Sequence, residues 1–192
     1  GAALPGYDLL VQAVGGLMSI TGAPDSEGGE PTKVGVALVD VLTGLNAVVG
    51  IQAALRARDT EGSPRRGSGQ HVTVTLLGSL LSALANQASS TLETGISPER
   101  MGNAHPSIAP YETFKAVDQP IALAVGTDAQ FQRLCDALSL PDTAADVRFA
   151  TNPARVRHRA ALRVLLGERL AARTVTLYTL DLERLAQLAA AV

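Results

Sequence analysis

From Val34 to Arg58 the chain reads VGVALVDVLTGLNAVVGIQAALRAR, with small and apolar residues recurring at helical spacing and a single carboxylate, Asp40, set among them. The pattern predicts one helix from Val41 to Arg58 with Asp40 at its N-terminal edge. An ionised carboxylate among Val and Leu side chains is costly unless hydrogen bonds, a partner charge or a helix N-terminus compensates. A helix start supplies the last of these. Two readings of Asp40 follow: an N-cap serving local structure only, or a nucleophile, since a partly desolvated carboxylate held still by a helix terminus can attack an acyl carbon.

Upstream, Pro5 and Gly6 predict a turn, and Asp8 to Met18 a helix whose end is loosened by Gly15 and Gly16. The following TGAPDSEGGEPTK reads as an exposed loop. Past the Asp40 helix, DTEGSPRRGSGQ is a polar turn in which Arg65 and Arg66 either cradle a phosphate or simply face solvent; with no strand or P-loop pattern around them, the solvated turn is the default. Between His71 and Thr94 the first residues alternate like a strand. The rest follow a long helix rich in Ala and Ser, suited to close packing on another helix of this chain or a second one. Gly102 to Ser107 form a compact loop before two expected strands, Ile108 to Lys115 and Ile121 to Gly126, joined through Asp118-Gln119-Pro120. So little side-chain bulk lets the loop backbone approach a ligand closely. His105 there has an acid/base reading and a hydrogen-bonded structural one. Beyond Gly126 the chain is helical, with Asp128 expected to cap AQFQRLCDAL and Asn152 to cap PARVRHRAALRVLLGERLAAR. Arg155, Arg157, His158, Arg159 and Arg163 read as one solvated basic face.

Composition narrows the function classes. Sixteen Lys and Arg against eighteen Asp and Glu in 192 residues give a formal charge of -2, so no basic field attracts nucleic acid. The single Cys, Cys135, cannot close a disulfide within the chain and sits in FQRLCDAL as an expected core thiol. His71 and His158 lack ligands at metal-binding spacing. No GxSxG, Walker A or dinucleotide fingerprint is present. The uncharged apolar run Val41 to Leu55 falls short of the roughly 20 residues of a membrane span, and no signal-peptide pattern is visible, so the expected location is the cytoplasm. The chain opens on Gly1, as a processed product or an internal fragment does.

Three blocks in order and at family spacing carry a resemblance: Gly6-Tyr7-Asp8 with Gly16-Leu17-Met18-Ser19-Ile20-Thr21-Gly22; Val34 to Asp40; and Gly102-Asn103-Ala104-His105-Pro106-Ser107 followed by Pro110-Tyr111. Together they resemble the class III CoA-transferases, the CaiB/BaiF group that includes formyl-CoA and carnitine CoA-transferases. Arg66 to Val72 is similar to the family's basic turn, and Arg148-Phe149-Ala150-Thr151-Asn152 to its Arg/Lys-Phe/Tyr-x-x-Asn turn. The resemblance implies an α/β fold of interlocked dimers, with long helices of a large domain and a small α+β domain holding a short hairpin. It divides this chain into a helical part at 1–95, a loop and linker at 96–107, a small domain at 108–174 and a divergent helical tail at 175–192.

The resemblance also implies chemistry. Asp40 takes the place of the family's nucleophile, which forms a mixed anhydride with a donor acyl group, then an enzyme-bound CoA thioester that an acceptor carboxylate attacks. The reaction takes acyl-CoA and a small carboxylic acid as substrates and needs no bound cofactor or metal, only exclusion of water. Tyr7, Gly102, Asn103, Ala104 and His105 fall at substrate-binding and active-site-loop positions, although the loop is poorer in glycine than that of formyl-CoA transferase. Acyl-CoA racemases of the same family carry a His at the place of Tyr7, and a phenol gives up its proton too reluctantly at neutral pH to replace that base. Transfer is thus favoured over racemisation, and Tyr7 either hydrogen-bonds a substrate carboxylate or merely packs at a helix start. The Gly102–Ser107 block is similar to that of transferases using succinyl-CoA, which points to dicarboxylic acids. Family members are roughly twice as long, their N-terminal part supplying most CoA contacts. The expectation is therefore a middle fragment, working as a homodimer or with a partner chain that supplies the absent half, or else a catalytically incomplete oligomerisation piece.

Overall fold

The computed structural model describes residues 5–176. It divides into two compact units that meet in sequence at Gly102 and Asn103. All but the first two residues of the expected tail, Val175 to Val192, lie outside the described residues.

In the first unit, α1 (Asp8–Val14) ends at Gly15, and Gly16, at a left-handed φ of 87°, starts α2 (Leu17–Ile20). A short 3-10 turn, Asp25–Glu27, lies in the Pro- and Gly-rich loop. The 22-residue α3 (Leu38–Asp59) follows, then α4 (Leu76–Ala83) and α5 (Ala85–Thr94). Asp40 is therefore the third residue of α3, inside the first turn, and is not its cap as the spacing had suggested; Ala37 stands at the cap position without a side-chain hydrogen bond. The expected strand at His71 is also absent: Thr75 Oγ1 accepts the Gly78 N–H at 3.1 Å and starts α4, and residues 71–75 have no ladder partner among the described residues. The long helix expected after it is broken at Leu84, with Ala85 at φ 42°.

α3 packs against α4 and the segment before it. Asn46 Nδ2 donates to Ser79 Oγ at 3.1 Å, and Gly50 lies so close to Val72 that an added Cβ would sit 2.8 Å from its side chain. Val39, Leu80, Gln12 and Ser79 are buried here. The opposite stripe of α3, Val41, Leu45, Val48 and Val49, is more than half exposed. By length and composition alone α3 could cross a membrane, with a mean hydropathy of 1.7, because the helix continues past both ends of the uncharged run seen in the sequence. The same profile belongs to a helix whose bare face meets another protein surface.

The second unit is built on a hairpin. Strands β1 (Tyr111–Lys115) and β2 (Pro120–Ala124) pair antiparallel with Tyr111 opposite Ala124 and Lys115 opposite Pro120, the turn falling at Asp118–Gln119 as its composition predicts. Phe114, Ile121 and Leu123 alternate onto one face and meet α6 (Asp128–Leu138) and α9 (Arg159–Leu170), with α7 (Pro141–Ala145) and α8 (Asn152–Arg157) between those helices in the chain. Phe131, Leu134, Cys135, Phe149, Leu162, Leu166 and Leu170 complete a contiguous core. Each such large apolar side chain contributes about 1.5–3 kcal/mol by leaving water.

Both expected caps shift by one residue. Thr127 caps α6 in a capping box with Gln130, and Thr151 caps α8. Asp128 and Asn152, released from capping, bond elsewhere. The supposed solvated basic face is corrected as well: Arg155 is fully buried, with Nε donating to the Ala109 carbonyl at 2.7 Å, Nη1 to the Phe149 carbonyl at 3.0 Å and Nη2 to Asp128 Oδ1 at 2.8 Å. Its guanidinium also lies over the Phe131 ring, 4.5 Å from the centroid. A guanidinium serves this corner because its fork reaches several acceptors at once.

Cys135 is the buried core thiol its setting predicts, and burial together with neighbouring Asp136 pushes its pKa up to about 11. Iodoacetamide at neutral pH should leave Cys135 unmodified in the folded protein and alkylate it on addition of guanidinium chloride, as read by intact-mass spectrometry. Comparable labelling rates in both conditions would contradict this core.

Candidate active site

The start of α1 and the start of α3 are joined by hydrogen bonds through one carboxylate. Tyr7 is the residue before α1, in extended conformation, with its carbonyl accepting the Val11 N–H at 3.1 Å and its side chain 69 % exposed. Asp8 follows at the first helical position. Its Oδ1 accepts the N–H groups of Val39 (2.7 Å) and Asp40 (3.3 Å), while its Oδ2 accepts Gln12 Nε2 at 2.6 Å. Gln12, fully buried one turn along, uses its Oε1 to accept the Val34 N–H at 2.9 Å. The segment from Val34 to Asp40 is thereby fastened to α1 at both ends. Asp8 supplies the acceptor that α3 lacks at its own cap position, and its negative charge suits the positive end of that helix.

Asp40 itself is exposed in this chain, at the end of the helix where a carboxylate is favoured. The expectation of a partly desolvated group is not met by the described residues around it: Val39 is buried and Leu38 half-buried, while Val41 and Leu45 stand on the exposed stripe. A cleft of about 530 Å³ in the same unit, bounded by Gly16, Ile20, Leu81, Ala88 and Leu92, is largely apolar and is lined by neither Tyr7 nor Asp40.

The loop residues divide between the units. Gly102 closes the first, at φ 60°, a left-handed conformation that glycine tolerates, with its N–H donating to the Gly22 carbonyl at 2.9 Å. Asn103, Ala104 and His105 open the second. Asn103 Nδ2 donates to Thr113 Oγ1 at 2.9 Å on β1, Ala104 is half-buried, and the His105 N–H donates to the Tyr111 carbonyl at 2.9 Å. The His105 ring lies 5.2 Å from that of Tyr111, and its Nδ1 accepts the Ser107 N–H at 3.1 Å. Accepting at Nδ1 ties the His105 ring into its own loop.

A second group of residues, to which the sequence pattern gave capping or solvated roles, fixes this loop from the helical side. Arg159 donates from Nη1 to the His105 carbonyl (3.0 Å) and from Nη2 to the Pro106 carbonyl (2.7 Å). Asn152 Nδ2 donates to the Ser107 carbonyl at 2.9 Å and its Oδ1 accepts the Ala109 N–H at 3.1 Å; its own N–H donates to Asp128 Oδ1 at 2.9 Å. The only sign in the sequence was the Arg148–Asn152 turn, whose last residue is this Asn. Beneath the loop, Glu112 pairs with Arg163 at 3.0 Å. Burial pushes the Glu112 carboxyl above the usual range against the pull of Arg163 and Arg159, and burial likewise lowers Arg159 against the pull of Glu112.

Comparison with known proteins places the chain. CoA-transferase family III matches residues 1–192, and the chain belongs to that family. It is 46 % identical over 162 residues to succinate–glutarate CoA-transferase of Agrobacterium fabrum, covering 84 % of this chain and 38 % of that protein. It is 37 % identical over 164 residues to human succinyl-CoA:glutarate CoA-transferase, covering 85 % of this chain and 36 % of that protein. A CaiB/BaiF family protein from Brucella suis has a similar structure, with a TM-score of 0.73 at 45 % identity over 96 % of this chain and 46 % of that one. The match thus spans less than half the length of these relatives.

The anchoring of the loop is open to a direct check. Arg159→Met should speed hydrogen exchange in the peptide spanning residues 103–110 while α6 and the β1–β2 hairpin keep their protection. Unchanged exchange there would show that Arg159 does not hold the loop.

Proposed function

We propose that this chain is the nucleophile-bearing portion of a class III CoA-transferase, which moves coenzyme A from an acyl-CoA donor to a carboxylic acid acceptor through Asp40. The observation that carries this reading is the seating of Asp40 on the first turn of α3, its main chain held by Asp8 next to Tyr7, in a chain 46 % identical to a named CoA-transferase. Exposure of a carboxylate at a helix N-terminus suits attack on a bulky thioester.

In the proposed cycle an Asp40 carboxylate oxygen attacks the thioester carbonyl, expelling CoA thiolate and forming a mixed anhydride. The thiolate attacks the aspartyl carbonyl, releasing the donor acid and leaving Asp40 as a CoA thioester. The acceptor carboxylate attacks that thioester, expelling the thiolate again and forming a second anhydride. The thiolate then attacks the acceptor acyl carbon, giving the new acyl-CoA and restoring Asp40. Every bond broken is matched by one formed, and charge stays on oxygen or sulfur throughout. Tyr7 hydrogen-bonds a substrate carboxylate, and the loop residues Gly102, Asn103, Ala104 and His105 contribute to substrate binding with a largely fixed His105 to Ser107 backbone. Racemisation is the weaker reading, since the α1 start presents a phenol and His105 has its Nδ1 occupied.

The acids are dicarboxylic on this reading: relatives at 46 % and 37 % identity are named for succinate and glutarate, and for mesaconate. The exposed stripe of α3 is covered in the working enzyme by chain beyond this segment or by a second copy in an interlocked homodimer, and water is excluded from the anhydride there. In the full-length enzyme, Asp40→Ala should lower CoA transfer between succinate and glutarate by at least about a thousandfold. Borohydride or hydroxylamine after incubation with succinyl-CoA should mark the parent protein and not the variant. Transfer by the variant at the parent rate would refute the assignment.

A further inference from the structure

One carboxylate links the elements that carry Tyr7 and Asp40. Asp8 is half-buried, holds the N–H of Asp40 itself and of the residue before it, and is covalently adjacent to Tyr7. Its second oxygen is fixed by Gln12, and Gln12 in turn holds Val34. These bonds form one directed chain: Val34 N–H to Gln12 Oε1, Gln12 Nε2–H to Asp8 Oδ2, Val39 and Asp40 N–H to Asp8 Oδ1. Gln12 has no exposed surface, so its amide cannot turn to water if the chain is broken. A helix start without its own side-chain cap otherwise frays by a turn, and Asp40 is on that turn.

We infer that Asp8 is a positioning residue of the transfer reaction: it locks the main chain of Asp40 and sets the register between Asp40 and Tyr7, while Gln12 keeps the Asp8 carboxylate in the orientation this needs. The inference rests on the proposed role of Asp40. Asp8 touches no reacting atom. Its contribution falls on the step in which the Asp40 oxygen must meet the acyl carbon at a defined angle, and misplacement of a reacting group by an ångström costs about a hundredfold in rate. Loss of Asp8 therefore lowers kcat and leaves KM for acyl-CoA nearly unchanged.

The donor pattern supplies a sharper test than removal. Asp8→Asn retains an oxygen for the Val39 and Asp40 N–H groups but turns an NH2 toward the Gln12 NH2, two donors face to face. Gln12→Glu alone places two carboxylates together. The double variant Asp8→Asn with Gln12→Glu restores a donor opposite an acceptor and keeps an acceptor for Val34. In the full-length enzyme, each single variant and Asp8→Ala should lower kcat for succinyl-CoA-dependent transfer about a hundredfold with KM little altered. The double variant should regain most of that loss. Thermal unfolding is followed in parallel, and rates are expressed per folded protein. Asp8→Ala with the parent kcat, or a double variant no faster than either single, would overturn the inference; should Asp8→Ala fail to fold, the comparison of double with single variants decides alone. The Asp40→Ala control separates the two claims: if that variant is inactive while Asp8→Ala is fully active, only the positioning role fails, and if Asp40→Ala is active the nucleophile assignment fails with it.

Discussion

Two hydrogen bonds from the first turn of α3 to a carboxylate on α1 fix the backbone of Asp40 against the element that follows Tyr7. A helix leaves its first N–H groups without partners, and α3 has no side chain of its own at the cap position to take them. Borrowing Asp8 solves the local problem and has a structural consequence: the position of Asp40 now depends on α1, whose first residue directly follows Tyr7. A single charge-assisted bond of this kind is worth about 1.5–3 kcal/mol. That is large beside the stability of so thin a core, where Val39, Leu80, Gln12 and Ser79 are buried while one whole side of α3 faces outward.

The second unit shows the opposite economy. A contiguous apolar core under the hairpin gives it its own stability, and the loop before β1 is pinned to that core by guanidinium and amide groups, not by packing. Arg159 and Asn152 bond to main-chain carbonyls, so the loop is held whatever its side chains are. Arg155, wholly buried, ties the next residues to α6 and to the Phe149 carbonyl.

Periodicity along the chain revealed the long helix, the hairpin with its Asp118–Gln119 turn, and Cys135 as core, because each is governed by interactions between near neighbours. The misreadings share a different cause. The cap reading of Asp40 fails because no local window contains the acceptor of its N–H, 32 residues upstream. Asp128 and Asn152 look like caps, yet the Thr before each does that work, and both reach across the fold instead. Arg155 and Arg159 look solvated on a helical wheel, and only the fold shows the carbonyls they meet. The strand expected at His71 had the right alternation and no partner among the described residues. Membership of the family was legible as a resemblance carried by several blocks in register; the physical setting of Asp40 alone leaves a structural reading and a chemical one side by side.

The central claim is that an oxygen of Asp40 becomes part of the acyl transfer. Between Lys33 and Arg56, Asp40 is the only carboxylate, so the tryptic peptide Val34–Arg56 reports on it alone. The full-length enzyme, first converted to its CoA thioester and then given one turnover with an acceptor acid labelled with heavy oxygen in its carboxylate, should carry one heavy oxygen in that peptide, because the last thiolate attack leaves an acceptor oxygen on the aspartate. A peptide that stays light while labelled acceptor is converted to its CoA ester would contradict the account.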